Sequence, residues 1–282
     1  MKLFLYRVSL TERSKGSLFD ALSAESGEEV PQRKNELERV FSKRFDYSPN
    51  SRVKMTHFPI QNEDGYFAGV LGRWMADTRP ADEKNPFLEK DSNYWELSSY
   101  FFNANDDEQV LGIEFNRSIS SDHSRIVEAF VEGINKSGLC KHYKFDIRSL
   151  NHDYDFWSAV TNYPKPITSL KFDFVAPNGP NNVEATREAM KMLHDDTNSP
   201  TIKQEFCNNE GVDLNSKEIK ARQEYASGGG GETVAKSGKK IVYNSVAQTR
   251  SEEVDDTLKP TSFGQGLFGL SDYLKDVLRK IK

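Results

Sequence analysis

The residues in this chain whose type and spacing suit chemistry are few, and the most conspicuous run is Gly230-Gly231-Glu232-Thr233-Val234-Ala235-Lys236-Ser237. It follows the phosphate-cradling pattern G-x-x-x-x-G-K-[ST], with Ala in place of the second Gly. A phosphate loop leaves a strand and opens a helix, so that backbone N–H groups and the helix dipole meet the anion. Here a helical pattern precedes the run and the strand-like Lys240-Ile241-Val242-Tyr243 follows, which predicts a flexible loop. Gly-rich backbone beside Lys236, Lys239 and Lys240 is suited to hold a phosphate backbone without catalysis. A second basic pair, Arg39 and Lys43, falls one helical turn apart, opposite Leu37, Val40 and Phe41. Both are expected to contact phosphates, unless Glu36 pairs with Arg39 three residues along.

Other chemistry finds less support. None of the five histidines has another at i+3 or i+4, so no zinc site is expected. Asp153-Tyr154-Asp155 places two carboxylates at a helix start, where a metal-dependent nuclease centre and a favourable dipole interaction are alternative readings. There is no G-x-S-x-G, no G-x-G-x-x-G after a strand and no kinase motif set, and Cys140 near His142 reads as a buried thiol. No catalytic residue, metal or cofactor is therefore assigned. An enzyme with a site assembled from distant residues stays open as an alternative.

These residues must be positioned by a folded chain. In 282 residues, 36% are hydrophobic, 29% charged and 11% aromatic, and net charge is −5. That is too aromatic for a disordered chain and too polar for a membrane protein. No run of 18 apolar residues occurs, and Arg7 interrupts the apolar start, so a spanning helix and a signal peptide are not expected. With two cysteines and no need of a disulfide, a cytoplasmic location is expected.

Strand-like runs fall at 2–10, 53–60, 66–74, 94–103, 109–117, 142–149, 168–176, 201–208 and 240–247. Helical stripes fall at 35–45, 124–137 and 153–162, with two more helices after the turn cluster 177–182 and the cap signal 215–218. Residues 270–282 carry a stripe of Leu270, Leu274, Val277, Leu278 and Ile281. The expectation is α+β, with two lobes of mixed or antiparallel sheets and helices packed on one face. The strand-rich lobe would span 1–120, an alternating helix and strand lobe 121–250, and a linker with an amphipathic helix 251–282. Residues 77–92 and 226–239 read as surface loops. Residues 33–54 are net +4 and residues 77–108 net −6, an asymmetry that would orient a partner.

The opening strand Leu3–Val8, the segment Gly65–Arg73 leading to Asp77 and Arg79, and Leu111–Arg117 before an amphipathic helix resemble a set of bacterial and phage proteins. The later order, strand 168–176, helix, strand 201–208, Asn215-Ser216 and a Gly-rich turn, is similar to the second half of RexA-type phage-exclusion proteins. That resemblance implies an intracellular, dimeric protein of two α+β lobes that binds duplex DNA in phage exclusion or defence, without catalytic residues to carry over. At the matching Arg73, Asn116 and Arg117 it suggests structural or interface roles. Partners expected on this reading are duplex DNA, a second copy, and a phage or membrane-protein partner, without insertion into the membrane. The alternative is a protein-interaction module that recognises a phage or host protein through its acidic stretch, Asp106, Asp107 and Glu108 included.

Overall fold

The computed structural model describes residues 1–13, 32–82, 85–105, 109–175, 184–197 and 199–259, without the side chains of 77–92. The chain is mixed α+β, mostly strand, and every strand pairing among the described residues is antiparallel. The first sheet has eight strands: β1 (Lys2–Glu12), β2 (Phe45–Asn50), β3 (Val53–Glu63), β4 (Tyr66–Asp82), β5 (Asn85–Asn103), β6 (Val110–Glu114), β7 (Tyr143–Ser149) and β12 (Ser251–Glu253). Its order is β12-β1-β6-β5-β4-β3-β2, and β7 joins β1 along the half that β12 leaves free.

This sheet curls into a half-barrel around α1 (Arg33–Phe41) and α2 (His123–Lys136). Alternation in β1 explains the burial: Tyr6, Val8 and Leu10 point to the helices, while Leu3 and Leu5 point to the opposite face. Leu37, Val40 and Phe41 of α1 and Ile126, Val127, Phe130 and Ile134 of α2 fill the concave side. Phe41 stacks on Phe102 at 4.0 Å between ring centroids. Asp122 caps α2 by accepting from the Ser124 N–H at 2.9 Å.

The second sheet, β11-β10-β8-β9, comprises β8 (Ser169–Val175), β9 (Thr201–Cys207), β10 (Gly231–Ser237) and β11 (Lys240–Asn244). Leu170, Phe172 and Phe174 of β8 face α3 (Asp153–Thr161), α4 (Glu184–Thr197) and α5 (Lys217–Tyr225), through Phe156, Met190, Ile219 and Tyr225.

Several expectations are corrected. Residues 77–82 and 85–92 extend β4 and β5, because backbone pairing from Tyr66↔Asn103 to Asp82↔Asn85 carries the hairpin through a Pro-rich, acidic sequence. In addition, α2 and β7 share the core of the first sheet, and β12 returns residues 251–253 to its edge. The stretch 226–239 is no loop, as described below. The turn cluster 177–182, Asp106 to Glu108 and the 270–282 stripe lie outside the described residues.

Candidate nucleic-acid interface

The Gly-rich stretch is the joint between the two sheets. After α5 the chain makes one wide helical turn over Ala226–Gly230, largely buried. The Gly228 carbonyl accepts from Arg7 Nε at 2.7 Å, and the Ser227 carbonyl from the Asn151 N–H at 3.0 Å. Gly229 has φ +85°, and a Cβ on it would lie 2.5 Å from Arg7 Cβ. A Cβ on Gly230 would lie 2.4 Å from the buried Tyr225 ring. These glycines are required because the backbone approaches the Arg7 side chain and the Tyr225 ring closely, not because the chain must flex. Residues 231–237 then run between β8 and β11, where the sheet ladders engage their backbone groups. The phosphate-loop pattern therefore lacks the fan of free N–H groups that a nucleotide requires.

Lys236, Lys239 and Lys240 are brought together at the β10–β11 hairpin, whose turn is Gly238-Lys239. The tip is anchored: Gly238 N–H donates to Thr168 Oγ1 at 2.8 Å, and Thr168 N–H donates to the Lys236 carbonyl at 2.8 Å. Lys239 and Lys240 are exposed and Lys236 is half-buried. Lys240 Nζ sits 5.2 Å from the centroid of the Tyr163 ring, a cation–π contact. Lys165 is exposed on the same Tyr163–Thr168 segment. Among the described residues none of these lysines forms an ion pair, and Ile241 beside them is 55% exposed. The loop 208–213 lies against Ile167 and Thr168 and brings Glu210 and Asp213 to the rim of this basic tip.

Arg39 and Lys43 belong to the first sheet and do not join the hairpin. Arg39 Nη2 pairs with Glu36 Oε1 at 2.8 Å and also donates to the Leu139 carbonyl. Glu36 is 2% exposed, so Arg39 neutralises a buried carboxylate rather than standing free for phosphate. Next to it, burial and Glu36 push the Cys140 thiol up to about 12. Lys43 is exposed in the turn after α1, and its carbonyl accepts from the His57 ring at 2.7 Å.

The other chemical candidates resolve into structure. Asp153 Oδ2 accepts from Trp157 Nε1 at 2.7 Å, and burial raises its pKa. Among the described residues no three His, Cys, Asp or Glu side chains cluster at metal-binding distance. Tyr6 OH meets His123 Nδ1 at 2.6 Å, and His194 Nδ1 donates to the Ser199 carbonyl at 2.8 Å. Arg73 donates to the Ile119 carbonyl and Asn116 to the Leu97 carbonyl, both structural roles. Sequence reasoning missed Tyr163 and Lys165, whose signal was only the segment Tyr163-Pro164-Lys165-Pro166 before β8.

No helix among the described residues is long and apolar enough to cross a membrane. Comparison of the chain with protein-family models, with curated proteins and with solved structures finds no match.

Proposed function

We propose that the protein is a non-catalytic nucleic-acid binder of the exclusion or defence type, which engages the phosphates of duplex DNA through the β10–β11 hairpin. The observation that carries this reading is the hairpin tip: exposed Lys239 and Lys240, without ion pairs among the described residues, flanked by Lys165 and by Lys240 over Tyr163. The tip is held in place by Thr168, so its charges are pre-positioned on a strand pair instead of a wandering loop. Lysine contacts are to phosphate and carry no base code, so binding is tolerant of sequence. Duplex DNA, and the exclusion role, are what the RexA-type resemblance adds to this geometry.

The test is fluorescence anisotropy with labelled duplex DNA, single-stranded DNA and RNA over about 50 to 200 mM salt. The wild-type chain binds the duplex with a steep salt dependence. Lys239→Ala with Lys240→Ala weakens binding equally on unrelated sequences and lowers the log–log salt slope by about 1 to 2. Unchanged affinity in that variant refutes the hairpin assignment, and no binding of the wild type at low salt refutes the function.

A further inference from the structure

The second sheet ends on an open edge. In the order β11-β10-β8-β9, β9 has β8 as its one strand neighbour among the described residues, and none of its seven residues is buried. An edge of this kind invites another strand, and proteins block it with a bulge, a Pro or a charge that finds no partner. β9 contains no Pro, and its register with β8 runs without a shift from Ser169↔Cys207 to Val175↔Thr201. Its two charges, Lys203 and Glu205, are opposite in sign and two residues apart, so both lie on the face turned away from the helices. Ile202 and Phe206 alternate with them and pack on the core beneath.

This spacing is complementary to itself. When a second copy of β9 runs antiparallel with Gln204 opposite Gln204, Lys203 of each copy stands opposite Glu205 of the other, once on each side of the axis. In the same register Ile202 meets Phe206 and Thr201 meets Cys207. The charge row continues into both sheets, because β8 sets Lys171 opposite Glu205 and Asp173 opposite Lys203. Read across the four strands, Lys171, Glu205, Lys203 and Asp173 alternate in sign. A slip of two residues would instead set Lys203 against Lys203 or Glu205 against Glu205, and a slip of one would turn the two helix layers to opposite faces.

We propose that β9 is the seam of a homodimer, in which two copies of this chain join their four-stranded sheets into one of eight strands, with Lys203 and Glu205 as reciprocal ion pairs. Lys203 Nζ is 3.4 Å from Asp173 Oδ2 and its side chain is 63% exposed, so its ammonium has donors to spare for a second carboxylate. Glu205 Oε1 accepts from Ser169 Oγ at 2.9 Å, on the same exposed face. On the other face Arg222 donates to Gln204 Oε1 at 2.7 Å and lies over the Phe206 ring, holding both side chains in place. The helix that leads into the strand, α4, contacts β9 and exposes Met192 at 65% and Leu193 at 39%, so apolar surface accompanies the open edge. β9 is the opposite edge of the sheet from the β10–β11 hairpin, and the seam stands independently of nucleic-acid binding.

Sedimentation velocity of the full chain over about 1 to 100 μM tests the seam, and the wild type should reach twice the 32.1 kDa of one chain. Lys203→Glu and Glu205→Lys each set like charges opposite each other on both sides of the axis, and each should weaken the dimer about tenfold or more. Mixed in equal amounts, the two variants offer acid to base at every charged contact of the seam, so a heterodimer should form where neither variant dimerises alone. Thr201→Cys in the otherwise native chain faces Cys207 of the other copy and should cross-link the dimer on mild oxidation, which reads the register even if the charge variants fold poorly. A wild type that keeps the mass of one chain throughout overturns the proposal. So does a dimer indifferent to both charge reversals, a pair of folded variants that fails to associate on mixing, or absence of the cross-link.

Discussion

His57 is a fully buried imidazole in the concave core, bracketed by the Lys43 carbonyl and the Tyr100 hydroxyl, each at 2.7 Å. A carbonyl only accepts, so Nδ1 donates to Lys43 and Nε2 accepts from Tyr100, which requires a neutral ring. Burial lowers its pKa from 6.5 to about 4. The unfolded chain binds this proton below about pH 6.5, the native chain only near pH 4, so stability falls as pH drops through that window. The full difference is about 3 kcal/mol, of which about 2.5 kcal/mol is lost by pH 4.5. His57→Leu removes this pH dependence, while leaving the Tyr100 hydroxyl and Lys43 carbonyl unpaired at a cost of about 1–3 kcal/mol at pH 7. Urea unfolding of both proteins at pH 7 and pH 4.5 reads the effect directly. The stability gap between wild type and variant should shrink by about 2.5 kcal/mol on acidification. A gap of the same size at both pH values would refute the buried, neutral assignment.

Gly230→Ala drives a methyl into the Tyr225 ring at 2.4 Å, where neither ring nor backbone has room, and should cost about 1–3 kcal/mol or more in urea unfolding. A flexible loop at this position would tolerate the change within about 0.5 kcal/mol. Of the two cysteines, Cys207 is exposed and Cys140 is buried with its thiol pushed up to about 12. One equivalent of an aromatic disulfide reagent should therefore react rapidly at pH 8, with the second released only on unfolding.

Much of the framework was legible because amphipathic periodicity reports burial directly. Leu37, Val40 and Phe41, and Ile126, Val127, Phe130 and Ile134, sit where their spacing puts them. The strands that were not read share one physical cause, pairing that overrides composition. β2 contains Ser48-Pro49-Asn50, a turn-like sequence tolerated because this strand lies at the sheet's edge. β10 hides behind four glycines whose composition is the same for a linker and for a close-packed joint. At the site, the lysines were visible as residue types, but their surroundings were not. Tyr163 reaches Lys240 because β8 and β10 pair across more than sixty residues, and Arg39 is taken up by a carbonyl one hundred residues away. Such contacts have no local signature.

The joint and the hairpin are mechanically one unit, and on the function proposed above this bears on how a chain of net charge −5 would meet a polyanion. Gly228 through Gly231 lead directly into β10, so Arg7 and Asn151 of the first body fix the root of the strand whose far end carries Lys236, Lys239 and Lys240. A tip fixed in this way holds Lys239 and Lys240 together as one local basic cluster. At physiological salt, charges farther than about 8 Å from a phosphate are largely screened, so on that proposal the local basic tip would govern contact while acids elsewhere would act mainly on approach. Binding should then depend on salt through two opposed effects, release of counterions at the hairpin and screening of repulsion from the rest. The measured slope would consequently be shallower than the number of hairpin lysines implies, and neutralising acids far from the tip would steepen it.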